Sequence, residues 1–163
     1  CRAVTVAVVH GGVYGGATDM ALACDFRVGS TAAEMFMPAA RLGLHFYQGG
    51  LERYVTRLGL DTAKRLFLTC ERLNALDMRA CGFLTHLAEP AELDATVAGL
   101  TDTLGTMAPL ALFGMKKHLN LIARGQHDAD AIAHAVQRTV HSEDLEEGGA
   151  AWREKRKPVF KGR

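Results

Sequence analysis

Residues Val4 to Val9 (VTVAVV) are apolar on both sides of a two-residue period, which predicts a strand buried on both faces. The next stretch, Gly11 to Asp25 (GGVYGGATDMALACD), reads as a glycine-rich turn running into a helix. Met20, Ala21, Ala23 and Cys24 supply its apolar positions, and the helix is expected over 19–24. Short extended segments are predicted at 26–28 and 35–37, the second ended by Pro38. A loop rich in His, Phe, Tyr, Gln and Gly spans 42–50, and a helix follows over 49–58 before Gly59.

Asp61 reads as the cap of a helix through Leu68, and Asn74 as the cap of one through Cys81. Gly82 breaks the second, and Phe83 to Leu87 is an apolar strand pattern. From Pro90 onwards the pattern is helical, with segments expected over 90–107, 111–123 and 128–140 and a last one from a Ser142 cap towards Trp152. The basic end, Arg153 to Arg163, reads as an arm or a docking surface. The order is therefore mixed α/β first and helical afterwards. The helical part is too apolar to stand free in water and must pack on its own core or on a neighbouring subunit.

At 163 residues, 48% hydrophobic and 23% charged, the chain can bury one substantial core. A formal net charge of +1 gives no electrostatic reason to expect a nucleic-acid or membrane partner. No segment has the ~20 apolar residues a membrane span requires. Cys1, Cys24, Cys70 and Cys81 lack metal-ligand spacing, so reduced thiols, a cytoplasmic location and no bound metal are the expectation. Cys1 is an awkward start, with the first strand beginning almost at once, and the chain reads as truncated or processed.

The candidate chemistry begins at the glycines. Glycine lets backbone approach a ligand closely, and the first N–H groups of a helix are unpaired at the positive end of its dipole. Such a turn can hold an anion or an oxyanion that develops during a reaction. The spacing is neither the GxGxxG fingerprint nor a Walker loop, since no Gly-Lys-Ser/Thr follows. A glycine needed only for tight packing is the alternative.

Five ordered segments agree on one resemblance: HGGVYGGATDMALACDFRV, MPAARLGLHFYQGG, RLGLDTAKRLFLTCERLNALDMRACGFLTHL, MAPLALFGMKKHL and SEDLEEGGAAWREKRKPVFKGR. Over essentially its whole length the chain resembles the crotonase, or enoyl-CoA hydratase/isomerase, superfamily. The resemblance implies an α/β fold, a spiral of ββα turns followed by a C-terminal helical trimerisation domain. Residues 1–88 would be the second part of the spiral core and 89–163 the helical domain. The part of the family fold that precedes Cys1 would supply the first oxyanion N–H and much of the adenine pocket.

The same resemblance implies an acyl-CoA substrate, with coenzyme A present only as part of that substrate, and a homotrimer or dimer of trimers. By position, Gly16 corresponds to the second oxyanion donor. Asp19 stands where hydratases of the family carry their first glutamate, and Ala39 where they carry their second. Adding water to an enoyl thioester needs proton transfer at two carbons, so the loss at Ala39 points to His45 or Tyr47 as substitutes, or to another reaction. Histidine is a general acid or base suited to neutral pH; for His45 a surface histidine is the alternative, as is a dipole-favoured first-turn aspartate for Asp19. The turn GGVYGGA and the missing second glutamate are similar to the methylmalonyl-CoA decarboxylase branch, with Phe46 about where that branch has a tyrosine. Decarboxylation requires an oxyanion hole but no strong base. Trp152 and Lys155 match positions that touch the CoA nucleotide of a neighbouring subunit, by stacking and by pairing with phosphate. A catalytically silent CoA-binding homologue is the second reading.

Overall fold

The computed structural model describes residues 1–163 and divides into two compact units, one of Thr5–Ala98 and one of Cys1–Val4 with Gly99–Arg163. The division lies within one helix, whereas the sequence pattern changes character at residue 88.

The α/β unit contains β1 (Val6–Val9), β2 (Gly12–Tyr14), α1 (Gly16–Ala23), β3 (Phe26–Ser30) and β4 (Glu34–Phe36). A 3-10 turn at Ala39–Leu42 leads to α2 (Gln48–Leu58) and α3 (Leu60–Lys64), which runs on as a π turn over Arg65–Thr69. Then come β5 (Arg72–Asn74), α4 (Ala75–Ala80) and β6 (His86–Ala88). Two three-stranded sheets form, ordered β1-β3-β6 and β2-β4-β5; all pairings are parallel except β4 with β5. Leu22, Met35, Met37, Tyr54, Leu66, Leu73, Met78, Phe83 and Leu84 make the core.

Several expectations are corrected here. Val8 is 45% exposed, because β1 pairs only with β3 and sits at the sheet edge, so the strand is not buried on both faces. Gly12–Tyr14, read as turn, is a strand in parallel register with Glu34–Phe36. The first helix begins at Gly16 rather than at Asp19. Asp61 is a first-turn residue, and Gly59 occupies the cap position of α3. The strand expected at Phe83 to Leu87 is His86–Ala88, since Phe83 and Leu84 turn into the core instead. Asn74 does cap α4, its Oδ1 accepting the Asp77 N–H at 2.9 Å.

The helical unit comprises most of α5 (Leu93–Gly105), then α6 (Pro109–Ala123), α7 (Ala129–Val140) and α8 (Glu143–Glu154). Ser142 caps α8 through its side-chain oxygen, as the sequence signal predicts, and Asp128, expected as the first residue of its helix, caps α7 in the same way. Cys1–Val4 joins this unit: Lys116 Nζ donates to the Ala3 carbonyl (2.5 Å), and Arg2 stacks over Phe113 at 5.1 Å. The basic end is not a loose arm. Asp144 accepts the N–H groups of Lys161 (2.7 Å) and Gly162 (2.9 Å), while Glu147 accepts that of Val159 (2.8 Å) and pairs with Arg156 (2.6 Å). Arg156 holds the Glu147 carboxyl down at about 2.

The turn before α1 decides where the site lies. Gly15 has φ +54° and ψ −127°, a conformation closed to residues with a Cβ. Its N–H donates to the Phe36 carbonyl (2.9 Å), fixing the turn to β4. A Cβ at Gly16 would meet nothing within 4 Å, and Gly16 has helical backbone. Gly15→Ala is therefore expected to cost about 1–3 kcal/mol. Gly16→Ala should stay within about 0.5 kcal/mol of the parent. Paired chemical denaturation of the two variants checks this contrast.

Candidate active site

Gly16 opens α1, so its N–H belongs to the group a helix leaves without an intrahelical partner. Asp19 lies three residues on, over the same face of the helix. Its side chain is buried, yet it accepts three hydrogen bonds from side chains. Arg53 of α2 meets it with both arms of the guanidinium, Nε to Oδ1 at 2.8 Å and Nη2 to Oδ2 at 3.1 Å. The Tyr47 hydroxyl donates to Oδ2.

Burial alone would raise the Asp19 carboxyl, but the Arg53 and Tyr47 hydrogen bonds outweigh it and hold the group below its ordinary value. Asp19 in turn pushes the Tyr47 phenol up, so Tyr47 stays protonated. An ionised carboxylate offers about four lone-pair sites, and three are used here. What remains is a weak base with little free capacity.

Behind this cluster lies a second, dry one. Thr18 and Tyr54 are fully buried, and their hydroxyls share a hydrogen bond. Thr18 Oγ1 also donates to the Gly15 carbonyl (2.6 Å), which accepts the Thr18 N–H as well (3.0 Å). Burial pushes the Tyr54 phenol well above its ordinary value. Adjacent residues of α1, Thr18 and Asp19, are thus met by adjacent residues of α2, Tyr54 and Arg53.

The structure brings Asp19 and Tyr47 together on the helix that Gly16 opens. His45 is exposed, and its Nδ1 lies 2.8 Å from the Phe46 carbonyl, which makes Nδ1 the protonated nitrogen and leaves Nε2 as the basic one. Ala39 is buried at the head of its 3-10 turn, with no carboxylate in its place. Trp152 (87% exposed) and Lys155, which ends α8 with φ +52°, belong to the helical unit. Arg53, Thr18 and Tyr54 were not singled out from the sequence. Arg53 reads there as an ordinary helix charge, although a carboxylate inside an apolar helix pattern requires a cation from elsewhere.

Two glycines with one carboxylate a turn away are a common enough arrangement that comparison with other proteins decides the matter. The enoyl-CoA hydratase/isomerase family model matches residues 1–163. The chain belongs to the enoyl-CoA hydratase/isomerase family. An enoyl-CoA isomerase/hydratase of Mycosarcoma maydis is 31% identical over 165 residues, covering 98% of this chain and 59% of that protein. The methylmalonyl-CoA decarboxylase of Escherichia coli is 29% identical over 161 residues, covering 96% and 62%. A solved enoyl-CoA hydratase structure from Geobacillus kaustophilus superposes with a TM-score of 0.88 at 30% identity, covering 99% of this chain and 64% of that one. The structure of an enoyl-CoA hydratase/carnithine racemase from Magnetospirillum magneticum gives 0.94 at 24% identity, covering 100% and 61%, which shows the fold. The α/β architecture is thus crotonase-like. The chain spans about three fifths of the length of these relatives. No helix is long and apolar enough to cross a membrane.

The Arg53–Asp19 pair makes a stability prediction. Its side chains are 22% and 4% exposed, so breaking it strands a buried carboxylate. Arg53→Met is expected to cost about 2 kcal/mol at pH 7, less than for a fully buried pair because Arg53 is partly solvated. Adding Asp19→Asn should recover more than half of that, as read in a double-mutant cycle. The pH sense follows from the lowered Asp19 value. Its contribution is complete above about pH 4 and is lost as the pH falls through the lower folded-state value. Asp19→Asn should therefore flatten the acid limb of the stability profile in that window.

Proposed function

We propose that the protein carrying this chain acts on an acyl-CoA thioester and stabilises an enolate oxyanion, with the Gly16 N–H as one of the donors. The observation that carries this reading is the Gly15 turn, after which Gly16 stands at an exposed helix start in a chain of this family. A well-placed donor of this kind is worth about 3 kcal/mol of transition-state stabilisation. Coenzyme A enters as part of the substrate, and Trp152 and Lys155 contact the CoA nucleotide of a neighbouring subunit by stacking and by charge. Tyr47, with its hydroxyl held by Asp19, and His45, with Nε2 available, are the side chains at hand for proton transfer. The activity is enoyl-CoA hydratase/isomerase-like in class.

A specific observation favours a second reading, decarboxylation of a malonyl-type thioester. Ala39 carries no carboxylate and Asp19 is engaged by Arg53, so a strong base is lacking where hydration would need one. Loss of carbon dioxide leaves the bonding pair in an enolate that needs the oxyanion donor and then one proton at the α-carbon, from Tyr47, His45 or water, but no strong base.

Crotonyl-CoA and methylmalonyl-CoA, offered side by side to the whole protein, separate the two readings: hydration supports the first, carbon dioxide release without hydration the second. Turnover of neither counts against both. Gly16→Pro tests the donor itself, because proline fits the first helical position while removing the N–H. Turnover is expected to fall about 100- to 1,000-fold in Gly16→Pro, with Gly16→Ala, which keeps the N–H, far less affected.

The assembly is a homotrimer or a dimer of trimers in this reading. Met115, Leu119 and Ile122 form an exposed apolar stripe along α6, and Val136 and Val140 form another along α7, faces that water alone does not favour. Leu119→Glu should lower the oligomeric mass measured by light scattering; an unchanged mass would remove α6 from the interface.

A further inference from the structure

We infer that Thr18 and Tyr54 are positioning residues for the Gly16 N–H, polarising through hydrogen bonds the peptide group that carries it. The inference rests on the reading of Gly16 as an oxyanion donor. The Gly15 carbonyl and the Gly16 N–H belong to one conjugated, planar unit. Hydrogen bonds accepted by the oxygen of such a unit increase its charge separation and make its N–H a stronger donor. The Gly15 carbonyl accepts two, from Thr18 N–H at 3.0 Å and Thr18 Oγ1 at 2.6 Å.

The direction of the chain is fixed by counting protons. Thr18 has a single hydroxyl hydrogen, and it goes to the Gly15 carbonyl. Tyr54 must then donate to Thr18 Oγ1, and burial keeps its phenol protonated. A proton-donating series runs from Tyr54 to Thr18 to the Gly15 carbonyl and ends, across the peptide, at the N–H of Gly16.

A threonine hydroxyl bonded three residues back is a common local cap and requires no tyrosine behind it. Tyr54 comes from another helix, reaches the same oxygen, and is fully buried with it. Water is shut out of the Tyr54–Thr18 bond, which keeps its low-dielectric strength, and the Thr18–Gly15 bond is partly shielded. The preceding peptide is anchored as well, its Gly15 N–H donating to Phe36 of β4 at 2.9 Å. The two Thr18 bonds to the Gly15 carbonyl then orient the Gly15–Gly16 peptide before any ligand arrives.

The test reads the ligand's carbonyl rather than the rate. Cinnamoyl-CoA labelled with carbon-13 at the thioester carbonyl is bound to the whole protein, and its carbonyl stretch is followed by isotope-edited infrared spectroscopy. The parent protein should lower the stretch relative to free ligand. Thr18→Val should lose about 30% of that displacement and Tyr54→Phe about 10%, following the cooperative gain per bond. Thr18→Ser, which restores the hydroxyl, should bring the band back. Bands identical to the parent in both Thr18→Val and Tyr54→Phe overturn the inference while leaving Gly16 as donor. No displacement in the parent protein overturns the Gly16 reading itself. If Thr18→Val fails to fold, Tyr54→Phe, which keeps the ring in the core, decides alone.

Discussion

A carboxylate taken out of water must be given a cation and hydrogen bonds, or it will not remain ionised. Asp19 imposes that requirement on the α/β unit. Arg53 answers it with two hydrogen bonds, which sets the register of α2 against α1. Once that register is fixed, Tyr54 falls beside Thr18 and Tyr47, just before α2, reaches Asp19 from the helix start. Leu22, Met35 and Leu66 belong to the same apolar core as Tyr54. Neutralised internally, Asp19 contributes orientation to the site more than net charge.

The β-branched run, the paired glycines, the Asn74 and Ser142 caps and the change from mixed to helical pattern were all legible in the chain, because each depends on local periodicity or on a side chain bonding its own backbone. The resemblance carried the fold class, and with it the pairing of Gly16 with Asp19 on one helix. What escaped was everything fixed between distant segments. Val8 is exposed because of its strand's place in the sheet, and Gly12–Tyr14 is a strand because of a partner at 34–36. Arg53 and Tyr54 carry no local sign of whom they will meet. Periodicity assigns them to a helix but cannot say that they face a carboxylate and a threonine some thirty residues earlier.

The end of the chain teaches the same lesson about charge. A basic run reads as an arm seeking an acidic partner, yet the partners are in α8 itself. Asp144 and Glu147 take up main-chain N–H groups of Val159, Lys161 and Gly162, and the Arg156 guanidinium spans Glu147 and Glu154. The tail's backbone is satisfied by carboxylates instead of by a strand or helix ladder, a use of acidic side chains that composition does not disclose.

The Gly15 turn leaves two consecutive amides in opposite circumstances. The N–H of Gly15 is spent on the Phe36 carbonyl, while that of Gly16 stands at an exposed helix start. Their hydrogens should exchange with solvent at very different rates, the first only when β4 and the turn part company, the second almost freely. Neighbouring resonances of the same residue type would thus form a built-in pair, one recording the integrity of the scaffold and the other the occupancy of the site.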